Sequence, residues 1–119
     1  MNMLELSHKN MIVWQKSIKL VKEVYKITDR LPNEEKFGLV SQLRRAAVSV
    51  TSNISEGEAR RSRKEKRRFY EFACSSVVEI DAQIEISLEL NFLRPQDIQN
   101  LTPLVNECFA MLSKLKKTR

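Results

Sequence analysis

Apolar side chains recur three and four positions apart along almost the whole chain, and only two glycines and three prolines interrupt them. A helix turns that spacing into one continuous apolar face, whereas a strand needs strict alternation. The pattern therefore demands helices that bury their faces against one another. No stretch alternates with period two, and no internal repeat or low-complexity tract is visible. At 119 residues the chain makes a single domain, large enough to bury roughly two-thirds of its unfolded surface.

Interruptions of the periodicity divide the chain into four helical segments behind an N-terminal tail, residues 1–9. The first helix is expected over 10–28. Met11, Trp14, Ile18, Val21 and Tyr25 form one stripe, and Val13, Leu20, Val24 and Ile27 a second beside it. Leu31-Pro32-Asn33 stops this helix, and Asn33 suits the N-cap of a second over 34–57. Gly38 inside that pattern implies a close backbone approach, and Gly57 a left-handed C-terminal stop. Ser62-Arg63-Lys64-Glu65 has the form of a capping box. It opens the longest helix, 62–91, lined by Phe69, Phe72, Ala73, Ser76, Ile80, Ile84 and Leu88. The last helix is expected over 95–117 with a break near Pro103, where Thr102 suits a fresh N-cap. Short connections between four such segments give an all-α, antiparallel up-down four-helix bundle. Its apolar faces are wider than one partner helix needs, which implies self-association.

The charge is as unevenly placed as the apolar residues are regular. Seven of the nine residues from Arg60 to Arg68 are basic and only Glu65 is acidic, so this run carries as much net charge as the whole chain, +6. Beyond Arg68 no basic residue appears before Arg94, while Glu71, Glu79, Asp81, Glu85 and Glu89 follow in succession. The third helix thus starts positive and continues negative. Its macrodipole favours the opposite order, by roughly 0.3–1 kcal/mol per well-placed charge. Three readings fit: a solvated helix start, a patch for nucleic-acid phosphates, or a surface for acidic protein. The acidic flank of another copy would serve as such a surface. Phosphate binding is preferred, with Arg60, Arg61, Arg63, Lys64, Lys66, Arg67 and Arg68 as the contacts. Lys16 and Lys19 on the first helix add a weaker basic stripe. Trp14, Tyr25, Phe69, Tyr70 and Phe72 sit at helical spacing that favours packing over base stacking, so backbone contact is expected rather than base readout.

Other chemistry finds little support. Cys74, Cys108 and the lone His8 lack zinc-ligand spacing, and the cysteines read as buried thiols. Glu56 and Glu58 flank Gly57 without a second ligand set, so no metal or cofactor is expected. The serines at 49, 52 and 55 have no base at a recognisable spacing, and no catalysis is expected of them. No apolar run approaches a membrane span or a signal-peptide core, which points to the cytosol.

Several linked motifs carry a family resemblance. Val13-Trp14-Gln15-Lys16 opens it, and Gln42-Leu43-Arg44-Arg45-Ala46-Ala47-Val48-Ser49-Val50 follows. Then come Ser52-Asn53-Ile54-Ser55-Glu56-Gly57, Arg61, Ser62 and Glu65, and finally Phe69 and Ala73. In this order the chain, from about residue 10 to 116, resembles the four-helix-bundle proteins encoded in intervening sequences of bacterial 23S ribosomal RNA genes. A related protein is the accessory protein of diversity-generating retroelements, a barrel-shaped homopentamer that binds nucleic acid and a reverse transcriptase. The resemblance implies a homopentamer that contacts RNA or DNA. Ser55 stands where alanine is common in the family, a change expected to matter little.

Arg44 and Arg45 are about 100° apart around a helix, so they cannot share one role. One, Arg44, is expected to form a structural ion pair with Glu79 or another acid of the long helix, and Arg45 to extend the phosphate-binding surface. The resulting expectation is a non-catalytic, homo-oligomeric nucleic-acid-binding protein. The alternative is a homo-oligomeric scaffold for an acidic protein partner.

Overall fold

A computed structural model describes residues 3–118; Met1 and Asn2 of the expected tail, and Arg119 at the basic C-terminus, lie outside the described residues. Four helices make the fold: α1 (Ile12–Thr28), α2 (Leu39–Ala59), α3 (Arg63–Glu89) and α4 (Leu101–Thr118). Short 3₁₀ turns precede α1 (Ser7–Asn10), α2 (Asn33–Glu35) and α4 (Pro95–Ile98). Each helix packs on the next in sequence, and α1 also packs on α4, closing an all-α four-helix bundle. No strand occurs among the described residues, and no helix is long and apolar enough to cross a membrane.

The core follows the periodicity. Leu20, Val24 and Ile27 from α1, and Leu43, Ala47, Val50 and Ile54 from α2, are buried against Tyr70, Ala73, Val77 and Ile80 of α3 and Cys108 and Leu112 of α4. Of two facing stripes on α1, only the one through Val13, Leu20, Val24 and Ile27 is fully buried; Tyr25 is 40% exposed. The N-terminal segment is not a simple tail. His8 is buried in its 3₁₀ turn, with its ring 5.3 Å from that of Trp14.

Helix ends depart from expectation in instructive ways. Asn33 does not cap α2. It starts a 3₁₀ turn, and α2 begins six residues later behind Gly38, with Glu35 Oε1 accepting the Leu39 N–H at 3.2 Å. Neither glycine plays its expected role: Gly38 is the N-cap residue of α2, with φ −112°, and does not lie inside the helix. Gly57 has no positive φ and stops nothing, since α2 continues to Ala59. A Cβ on Gly57 would lie 2.9 Å from Tyr70 Cε1 and 3.1 Å from Phe69 Cβ, so Gly57 is the close-approach residue between α2 and α3. The break expected in the last helix near Pro103 falls just before it, at residues 99–100, between the 3₁₀ turn and α4. The helix starts at Leu101, so Pro103 falls in its first turn, where its missing N–H has no intrahelical partner to lose. The C-terminus of α3 closes on Asn91, whose φ of 61° allows Phe92 N to donate to Ser87 O and Asn91 N to Leu88 O. That pair of bonds is a Schellman motif, here with asparagine in the left-handed position.

Candidate nucleic-acid interface

The basic run begins at the C-cap of α2, Arg60, and continues through the first turns of α3. Ser62 is the N-cap of α3 as its sequence suggests, its Oγ accepting the Glu65 N–H at 3.1 Å. The connection between the helices is so short that the start of α3 lies against the end of α2. Cations that face the wrong end of one dipole therefore face the right end of another. Lys66 makes this concrete. Its ammonium reaches back to Glu58 O at 2.9 Å, Gly57 O at 3.5 Å and Glu58 Oε1 at 3.5 Å. Lys66 caps α2 and is not available to a phosphate, contrary to expectation. Arg60 is half-committed in the same way, paired with Glu56 at 2.8 Å and lying 4.7 Å over the Phe69 ring.

The rest of the run is open. Arg61, Arg63, Lys64, Arg67 and Arg68 are all exposed, and among the described residues none forms a salt bridge. Glu65 is the one acid within that stretch. Arg68 lies 5.5 Å over the ring of Phe72, which meets Phe69 edge-on at a centroid separation of 5.7 Å.

The other expected contacts do not join this cluster. Lys16 is bound to Glu107 of α4 at 2.7 Å, across the α1–α4 seam. Lys19 is exposed on α1, a helix that packs on α2 and α4. Arg45 is exposed on α2 but lies about four helical turns from Arg60 along the same helix. Arg44 is the structural member of its pair, yet its partner is not Glu79. Its guanidinium meets Asp29 Oδ1 at 3.0 Å, Thr28 Oγ1 at 2.8 Å and Tyr25 O at 3.3 Å, and lies 4.5 Å over the Tyr25 ring. Position 44 points into the α1–α2 seam, where it caps α1. Glu79 is exposed on α3 and accepts at 3.4 Å from Gln83.

The polar end of the second helix suggests helix–helix contacts but not their partners: a Ser and Thr network sets α2 against α1 and α3. Trp14 Nε1 donates to Ser55 Oγ at 2.9 Å, Thr51 Oγ1 to Ser17 Oγ at 2.9 Å, and Ser76 Oγ to Ser49 Oγ at 3.0 Å. Ser55 is therefore consequential, because alanine there would leave the indole N–H without this acceptor. The signal was present as an unusually polar end to an otherwise apolar helix face.

A family model described as "23S rRNA-intervening sequence protein" matches residues 9–114. The chain belongs to this family. A solved structure agrees in fold: a Bacteroides thetaiotaomicron protein of unknown function from the S23 ribosomal protein family superposes with a TM-score of 0.81. That likeness covers 90% of this chain and 100% of the other, at 22% identity. No curated protein matched. Within the family frame, the Trp14 to Ser55 bond joins the first motif of the resemblance to its third. Gly57 lies against Phe69 and Tyr70, which joins the third motif to the last.

Proposed function

We propose that this protein is a non-catalytic nucleic-acid-binding protein that grips the phosphate backbone through the start of α3 and works as a homo-oligomer. One observation carries the reading: five exposed cations without an acidic partner among the described residues, Arg61, Arg63, Lys64, Arg67 and Arg68, fall between the end of α2 and the second turn of α3. Phosphates would neutralise them and release counterions. Oligomerisation would present several patches to one strand and raise avidity. A shallow groove between α3 and α4 supports self-association. Val78 and Phe109 line it and are 52% and 45% exposed, together with Val105 and Asp81. By resemblance the assembly is a pentamer.

Binding of labelled RNA and DNA, with molar mass by light scattering, tests the reading. The native protein is expected to bind at low salt and to have a mass that is a multiple of 13.9 kDa. Reversing Arg61, Arg63 and Arg67 to glutamate should abolish binding and leave helical content intact. Lys66→Met should weaken the fold yet retain binding, because Lys66 caps α2. Absence of any binding by the native protein would overturn the proposal.

A further inference from the structure

Phe72 stands where no core residue belongs. Its neighbours on α3, Tyr70, Ala73 and Cys74, are buried, while Phe72 is 43% exposed beside the unpaired cations of the run. An exposed phenylalanine costs apolar contact with water unless something covers it. Two arginines already partly do so. Arg60, Phe69, Phe72 and Arg68 form a row of two adjacent rings with a cation at each end, with separations of 4.7, 5.7 and 5.5 Å from one to the next. Arg60 is held at the α2 end by Glu56, which fixes that end of the row. Arg68 has no acidic partner among the described residues and is free to turn from the ring to a phosphate.

Resting on the nucleic-acid reading above, we infer that this row makes the patch selective for single-stranded RNA or DNA, with Phe72 as the stacking platform for one base and Arg68 as the adjoining clamp. A planar base displaces water from an aromatic face whatever its identity, so such a platform tolerates sequence. It cannot engage a duplex in the same way. Base faces inside a duplex are covered by their neighbours, and exposing one requires unstacking. The cations at Arg61, Arg63, Lys64 and Arg67 bind both forms through the backbone, while Phe72 distinguishes them. The acids nearest in sequence, Glu65 and Glu71, are exposed and without a salt bridge among the described residues. They would repel a backbone laid directly along α3 and favour one that crosses it at the row.

Fluorescence anisotropy with the full chain at one fixed salt concentration provides the test. The probes are a short labelled single strand, as RNA and as DNA, and the duplex of the same sequence. The native protein should bind the single strand more tightly. Phe72→Leu keeps the apolar bulk and removes the ring; it should weaken single-strand binding about tenfold and leave duplex binding unchanged. Phe72→Trp should retain single-strand binding, and its indole fluorescence should be quenched by the bound strand. Equal affinity of the native protein for both forms overturns the inference and leaves the proposed function standing. So does a Phe72→Leu loss that is equal on both probes or absent from both. A fall in molar mass on Phe72→Leu also overturns it, because the ring would then belong to a subunit contact. Failure of the native protein to bind any probe overturns the proposed function itself.

Discussion

Gly57 is the point at which one methyl group decides the spacing of two helices. A Cβ there would meet the Tyr70 ring and the Phe69 Cβ, and Tyr70 is itself fully buried. Gly57→Ala should force α2 away from α3 and destabilise the fold by about 1–3 kcal/mol in urea titration, despite the alanine's better helix propensity. Arg44 is the second such residue. Its bonds to Asp29, Thr28 and Tyr25 join the end of α1 to α2. Arg44→Ala should cost about 1–2 kcal/mol, whereas Glu79→Ala should stay within about 0.5 kcal/mol. Equal costs would restore the Arg44 to Glu79 pair that spacing alone suggested. That Arg44 or Arg45 is structural was legible from their places around the helix. The partner was not, because it depends on which seam position 44 enters, and that is set by packing. Gly57 illustrates the same limit: spacing marks a glycine as special, but a left-handed stop and a close approach look identical in one dimension.

At the scale of elements, the turn from α2 to α3 changes the meaning of the basic run. Read along α3 alone, cations at an N-terminus oppose the dipole. Beside the end of α2, Lys66 and Arg60 lie where cations are favoured, and they contribute to the fold. The functional patch is accordingly smaller than the charge count suggests. The seam between α1 and α4 holds a different device. Burial, and then the neighbouring Glu107, push the Cys108 thiol from 9.0 up to about 11, with Lys16 acting in the opposite sense. The unfolded thiol ionises first. Stability is therefore unaffected by this group below about pH 9 and falls as pH rises from 9 toward 11, by about 3 kcal/mol in total. Cys108→Ala should flatten that part of the stability curve in denaturant titrations across the same range. If both proteins lose stability equally, the thiol is not the cause. The helices themselves were legible in the sequence because each apolar stripe repeats at helical spacing. Their ends were less so, since Gly38 and Pro103 act through local geometry that periodicity does not record.

Across the whole molecule, charge and apolar surface divide the bundle into distinct regions. One end carries open cations around Phe72, and the flank of α3 carries Glu71 and Asp81 beside Val78 and Phe109, with Glu85 beyond Asp81 in the neighbouring cleft. The position of the cationic end was readable from the sequence as a run of nine residues. Its division into structural and open members was not, because it depends on where the chain turns back. The salt dependence of nucleic-acid binding tests the account most directly. If five cations per protomer meet phosphates, the logarithm of single-strand affinity should fall against the logarithm of salt concentration with a slope of about −3.5 or steeper. Reversing Arg61, Arg63 and Arg67 should remove that dependence together with the binding. A slope near zero, or affinity that survives the reversal, would contradict the assignment of this patch to the phosphate backbone.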